Sequence, residues 1–184
     1  MTQLKFEKIS WKQMERDCLQ LYTSRLKDLK VDRIISISRG GSVISRIFSD
    51  LLNNPAISHI TISSYKDLNK KSIPLITEIP KKDFKNEIIL LVDEVSDTGI
   101  TFEIAEKHLM EHCPKKIYTL SPYIKPHSKY KPHYWQKSID AWIIFPYEVR
   151  ETIDAFMKMF GTKEHALKKL LEVGFEQWEI EAVS

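Results

Sequence analysis

The chain has 184 residues, two cysteines and a formal net charge of +3 from 28 basic and 25 acidic side chains. That length suits one compact domain with a small appendage, able to bury roughly 70% of its unfolded surface without staples. Two cysteines exclude a disulfide framework and a zinc ribbon, and a hydrophobic content of 42% excludes disorder. The mild basic balance suits phosphorylated ligands without demanding nucleic acid. No apolar run approaches the roughly 18 residues of a membrane span, and the opening MTQLKFEKIS lacks the apolar core of a signal peptide. The expectation is a cytoplasmic protein with no membrane and no nucleic-acid partner. Glycine is scarce, at five residues, under half the usual share of about 7%. Each glycine is therefore expected where the backbone tolerates no side chain.

In chain order, residues 10–29 read as an amphipathic helix, capped by Ser10 with Gln13 three residues on. Trp11, Met14, Cys18, Leu21, Tyr22 and Leu29 would form its core face. Arg33 to Ser38 (RIISIS) is a short isoleucine-rich strand, followed by the turn Arg39-Gly40-Gly41 and a helix over 42–53. Residues 57–63 alternate as a strand. Residues 64–85 are polar, lysine-rich and broken by Pro74 and Pro80, which predicts a mobile excursion with a short hairpin. Residues 87–92 (EIILLV) are apolar throughout, as in a strand buried on both faces of a parallel sheet. Gly99 opens a helix reaching about residue 112, and residues 116–120 and 141–145 supply two more strands. Alternating strands and helices predict an α/β fold, a mainly parallel sheet flanked by helices. Beyond it, helices over 148–160, from Thr162 to Gly174 and around Trp178 make a small all-helical appendage. The expected division is a core over 1–148 and a helical extension over 149–184.

The chemistry concentrates in LLVDEVSDTGIT, Leu90 to Thr101. A buried strand there ends in adjacent carboxylates, Asp93 and Glu94, and a loop of small and hydroxyl residues then enters a helix. Loop amides and the helix dipole favour an anion, and Thr98 and Thr101 add hydroxyl donors. The acid pair suits ribose hydroxyls or a magnesium ion carried in by phosphates. Asp97-Thr98-Gly99 also spells the triplet of aspartic proteases, but that chemistry needs two such aspartates on all-β lobes and is rejected. A second anion-binding turn, Ile37-Ser38-Arg39-Gly40-Gly41-Ser42, again links strand to helix, with Arg39 able to hold two phosphate oxygens. Two such turns at the carboxyl edge of a sheet imply a ligand phosphorylated at both ends.

These motifs resemble the type I phosphoribosyltransferases, which use 5-phosphoribosyl-1-pyrophosphate. LLVDEVSDTGIT is similar to their diphosphoribose motif and ISRGG to their pyrophosphate loop. The resemblance narrows to the 6-oxopurine branch, xanthine–guanine type, through ISSY (Ile62–Tyr65), Lys125-Pro126 and DAWIIFPYE (Asp140–Glu148). The helical tail resembles an addition on some archaeal relatives. The resemblance implies transfer of the phosphoribosyl group to purine nitrogen 9, giving a nucleoside monophosphate and pyrophosphate, with Mg²⁺ as cofactor. It assigns the pyrophosphate to Ser38, Arg39, Gly40 and Gly41, and the ribose and Mg²⁺ to Asp93 and Glu94. The 5′-phosphate falls to Val95, Ser96, Asp97, Thr98, Gly99, Ile100 and Thr101. Asp97 is implied as general base, Ser64, Tyr65 and Lys66 as a closing hood, and Lys125, Trp142 and Ile143 as the base-binding set. A homodimer is implied as well.

Three departures stand out: the acid pair ends in Glu94 where the family usually has aspartate, Ile100 stands where relatives often have lysine or glycine, and the basic, aromatic stretch 127–138 fits the xanthine–guanine pattern poorly. Adenine as the base, or a non-catalytic sensor of the ribosyl donor, are the competing readings. Asp97, the hood motif and the lack of a DNA-binding domain before the first strand weigh against the sensor. His108 and His112 share a helix face but have no partner ligand set, and the Lys/His/aromatic stretch 123–135 reads as a loop beside the base pocket.

Overall fold

A computed structural model of the chain describes residues 4–64, 74–80 and 83–183. Its described elements are β1 (Phe6–Lys8), α1 (Trp11–Leu21), β2 (Arg33–Ser38), α2 (Gly41–Leu51), β3 (Ile57–Ser64), β4 (Pro74–Glu78) and β5 (Ile88–Val92). There follow β6 (Val95–Ser96), α3 (Ile100–Met110), β7 (Lys116–Leu120), β8 (Tyr123–Ile124), β9 (Lys137–Ser138), β10 (Trp142–Ile144), α4 (Val149–Phe160), α5 (Lys163–Glu172) and α6 (Gln177–Glu181). The chain divides into two compact units, Glu15–Ile139 and a smaller one made of Met1–Met14 with Asp140–Ser184.

The larger unit is built on a five-stranded sheet of order β4-β3-β2-β5-β7, parallel except for the antiparallel β4. The apolar runs RIISIS and IILLV sit side by side near its centre, Ile34 against Leu90 and Ser36 against Val92. Alternate residues meet opposite faces. Ile35, Ile37, Ile89 and Leu91 pack with Phe102, Ala105 and Leu109 of α3, while Ile34 and Leu90 are equally buried on the other side. Burial on both faces is why IILLV is apolar throughout rather than alternating, while in RIISIS the buried Ser36 donates its hydroxyl to Ser42. A separate small parallel sheet is formed by β6-β8-β9.

The first helix departs from the continuous one expected over 10–29. Ser10 does cap it, accepting from the Gln13 amide at 3.1 Å. After Leu21, however, the chain widens into a π-helical turn, Tyr22–Leu26. The cause is local: Thr23 Oγ1 donates to the Leu19 carbonyl at 2.9 Å and Ser24 Oγ to the Gln20 carbonyl at 2.7 Å. These hydroxyls compete for the carbonyls that the regular ladder needs. The shift in phase buries Leu26 fully and leaves Leu29 half-buried. Trp11, placed on the core face by periodicity, is 56% exposed.

A fully buried carboxylate lies in the interior of this unit. Asp17 is fully buried and takes the Lys137 ammonium at 2.8 Å and the Tyr123 phenol at 3.0 Å. A buried carboxylate matched by an ammonium and a hydroxyl ties α1 to the chain around β8 and β9. Next to it, burial pushes the Cys18 thiol up to about 12, Asp17 adding to the effect.

In the smaller unit the strand expected over 141–145 forms, as Trp142–Ile144. It pairs in parallel with β1, a partner periodicity did not show, rather than joining the main sheet. Phe6 of β1 packs 4.8 Å from Phe156, ring centre to ring centre, and Ile144, Ile153, Phe156, Ala166, Leu170 and Ile180 form the core. Thr162 caps α5 through the His165 amide at 3.3 Å. Lys8 donates to the Gly174 carbonyl at 2.9 Å and pairs with Glu179 at 2.6 Å, fastening the strand to the tail. Among the described residues no helix is long and apolar enough to cross a membrane.

Candidate active site

The carboxyl ends of β2 and β5 lie next to each other, so the turns that follow them meet. The first turn runs through Ser38, Arg39 and Gly40 into α2, with a cis peptide between Ser38 and Arg39. Ser42, in the first turn of α2, lies within hydrogen-bond reach of the Ser36 and Ser38 hydroxyls at 3.2 and 3.3 Å. Arg39 is exposed above this turn. Both glycines are required by close approach rather than by backbone angle. A Cβ on Gly41 would come within 2.5 Å of the Val92 carbonyl oxygen and 3.0 Å of the Asp93 Cα. A Cβ on Gly40 would fall on the Glu94 carboxyl.

The second turn starts with the acid pair. Asp93 is 8% exposed, and its Oδ1 accepts from the Glu94 amide at 3.0 Å. Burial, with the neighbouring Glu94 charge next, pushes the Asp93 carboxyl well above the usual carboxylate range. Glu94 Oε2 is buried with no hydrogen-bond partner among the described residues. Two crowded carboxyls with an orphan oxygen form a place for hydroxyl donors or a cation. Asp97 and Thr98 are exposed, and Gly99 enters α3 at φ 90°, the left-handed region. The first amides of α3 lack acceptors within the helix and suit an anion.

This turn is buttressed from behind by the segment 123–130. β6 pairs in parallel with β8, and the Lys125 and Lys129 amides donate to the Ser96 and Thr98 carbonyls at 3.0 and 3.1 Å. Ser96 and Ser128 hydroxyls lie 2.9 Å apart and both reach the Tyr130 carbonyl, at 2.8 and 2.9 Å. The Tyr130 ring stacks on Phe102 at 5.2 Å, and its hydroxyl donates to Glu106 at 2.8 Å. A Cβ on Gly99 would strike Tyr130.

The larger unit thus brings together Ser38 to Gly41, Asp93 to Thr101 and Lys125, which is half-buried at the start of the buttress. Ser64 ends β3, while Tyr65 and Lys66 of the expected hood lie outside the described residues. Trp142, 46% exposed, and Ile143, 6% exposed, belong to the smaller unit, opposite Phe6 and Glu7 of β1. Sequence reasoning missed Tyr130, and His127, whose Nε2 lies 2.9 Å from Asp97 Oδ1. The one signal for the histidine was the tripeptide Lys125-Pro126-His127, repeated as Lys131-Pro132-His133.

Known proteins resemble this chain in sequence and in fold. A phosphoribosyl transferase domain model matches residues 10–152. A xanthine-guanine phosphoribosyltransferase of Desulfotalea psychrophila is 33% identical over 149 residues, covering 80% of this chain and 89% of that protein. The crystal structure of a purine phosphoribosyltransferase from Pyrococcus horikoshii superposes with a TM-score of 0.72 at 28% identity, over 78% of this chain and 94% of that one. A Helicobacter pylori xanthine-guanine-hypoxanthine phosphoribosyltransferase gives 0.69 at 27% identity, with the same coverage. By its sequence over residues 10–152 and by its fold, the chain belongs to the phosphoribosyltransferase family.

Proposed function

We propose that this protein is a purine phosphoribosyltransferase, moving the 5-phosphoribosyl group from 5-phosphoribosyl-1-pyrophosphate to nitrogen 9 of a 6-oxopurine. The carrying observation is the abutment of two anion-binding turns at the ends of β2 and β5, with the acid pair between them. A ligand with phosphates at both ends and a diol in the middle matches that layout. The relatives named for xanthine and guanine support the purine, and the Lys125 ammonium, all donor and no acceptor, suits an oxygen at position 6.

In this reading the amides of Ser38 to Gly41 and the Arg39 guanidinium take the pyrophosphate. Asp93 and Glu94 accept from the ribose hydroxyls. The loop Val95 to Thr101 and the first turn of α3 hold the 5′-phosphate, fixing the anomeric carbon in line with the base. The N9–C1′ bond forms as the C1′–oxygen bond to pyrophosphate breaks, and the base loses its nitrogen 7 proton to the Asp97 carboxylate. The acid pair fits Mg²⁺: Asp93 and Glu94, crowded together with an unsatisfied buried oxygen, would hold the cation. When bound it would supply neutralisation of the leaving pyrophosphate. The same reading carries a cytoplasmic homodimer, which light scattering and cell fractionation test.

The function is tested spectrophotometrically with the ribosyl donor, Mg²⁺ and each of guanine, xanthine, hypoxanthine and adenine in turn. Turnover of oxopurines alone is expected. Adenine alone would keep the transfer and overturn the part given to Lys125. Donor binding without turnover of any base would replace the enzyme with a sensor.

A further inference from the structure

We infer that His127 is a positioning residue for Asp97, an assignment that rests on reading Asp97 as the general base. The Lys125 and Lys129 amides donate to the Ser96 and Thr98 carbonyls. These two bonds bracket Asp97 on one segment and His127, midway between the donors, on the other. The segment bearing His127 is itself closed by the Ser128 amide on the Lys125 carbonyl at 3.0 Å. The Ser96 and Ser128 hydroxyls tie the same two segments together through the Tyr130 carbonyl.

Within this clamp His127 Nε2 meets Asp97 Oδ1 at 2.9 Å. The side chains are 61% and 63% exposed. An exposed pair on unconstrained segments is worth little, because both side chains must be ordered to make it. Here the backbone bonds on either side hold both residues, so one hydrogen bond is enough to select a rotamer. A carboxylate can only accept, which assigns the Nε2 proton to the histidine. With Oδ1 engaged by the imidazole, Oδ2 is the oxygen turned to the base, and it receives the proton leaving nitrogen 7. The imidazole touches neither reacting atom. It decides which carboxylate oxygen faces them and how long it stays there.

The experiment compares H127A, H127Q, D97N and the double variant H127A/D97N in steady-state kinetics, with thermal unfolding of each. H127A should lose roughly tenfold in kcat, with KM for donor and base and the melting temperature unchanged, a small part of the 10²–10⁴-fold effect of a general base. H127Q, whose side-chain amide can donate to Oδ1, should recover most of that loss. The double variant should be no slower than D97N, because nothing remains to be positioned. A wild-type kcat in H127A, a loss that appears only in KM, or a Gln variant as slow as Ala would overturn the inference. So would a further tenfold loss on top of D97N. A D97N enzyme as fast as wild type would instead remove Asp97 as base, and the inference with it; a slow D97N beside an unaffected H127A removes the inference alone.

Discussion

The turn after β2 and the turn after β5 both carry the chain from a parallel strand into a helix, and both end at glycine, yet they are held in different ways. In the first, Gly40 and Gly41 keep out of the left-handed region, and each is small because the other turn occupies the space a Cβ would need. The first turn is shaped by contact with the second. In the second, Gly99 has a left-handed backbone and is backed by Tyr130, part of a separate segment that hydrogen-bonds along the loop. Chemical roles divide the same way in the proposed reaction. The first turn takes the leaving group, whereas the second holds the sugar phosphate and carries the proton acceptor. A turn that must keep a side chain aimed is the one given a buttress.

The largest expected effect separates those roles. Replacing Asp97 by Asn should lower kcat by about 100-fold or more while leaving KM for the donor near wild type, since the loop amides that hold phosphate are untouched. Steady-state kinetics with saturating base decide this. A rise confined to KM would put Asp97 among the phosphate contacts and erase the division between the turns.

Next in size is Gly41→Ala. Its Cβ would meet main chain, the Val92 carbonyl at 2.5 Å and the Asp93 Cα at 3.0 Å, and neither can swing aside. A loss of about 3 kcal/mol in urea denaturation is expected, at the upper end of overpacking costs. Gly99→Ala should lose a similar amount for a different reason, about 1–2 kcal/mol from the left-handed backbone, with the Tyr130 contact added. A neutral Gly41→Ala would mean that the two turns do not constrain each other.

How much of this was legible in the sequence follows from how local each feature is. RIISIS and IILLV declare themselves because strands buried on both faces are rich in aliphatic side chains, and the strands run Arg33–Ser38 and Ile88–Val92. The acid pair and both glycine turns are contiguous and so could be read as motifs. β1, β6, β8 and β9 are two or three residues long, and only a distant partner makes each a strand. Periodicity has nothing to act on at that length. The same limit hid Asp17, whose burial depends on Lys137 and Tyr123 more than a hundred residues away. Tyr130 and His127 were hidden because their roles exist only across the pairing of β6 with β8.

A double-mutant cycle tests the contact between the turns directly. Gly40→Ala alone should cost about 1 kcal/mol in stability and more in kcat/KM, because the end of the Glu94 side chain can move aside but leaves its place among the site's acceptors. Glu94→Asp withdraws the carboxyl by one methylene and makes room. The two substitutions together should be less harmful than their sum, with a coupling of about 1 kcal/mol in transition-state free energy. Strict additivity would show that Gly40 and Glu94 do not share that space in the working enzyme.

The smallest expected effect probes the buttress itself. Tyr130→Phe keeps the stack on Phe102 and the backbone that holds Gly99, and removes the hydroxyl from Glu106 and Thr119. A loss of about 1 kcal/mol near neutral pH is expected for that hydroxyl. The effect carries a pH signature. Burial raises the Tyr130 phenol above its ordinary range; the Thr119 hydrogen bond works against this and Glu106 works with it. In the unfolded chain the phenol titrates near its ordinary value of about 10. As pH rises past that value the unfolded state releases its proton first, so the hydroxyl's contribution is complete below it and declines above it. Urea denaturation of wild type and Tyr130→Phe should therefore give a gap at pH 7 that shrinks by about pH 10.5. The other tyrosines titrate in both proteins and cancel in the difference. If the gap stays constant, the hydroxyl does not enter the stability balance, and the second turn would rest on the ring stack and backbone bonds alone.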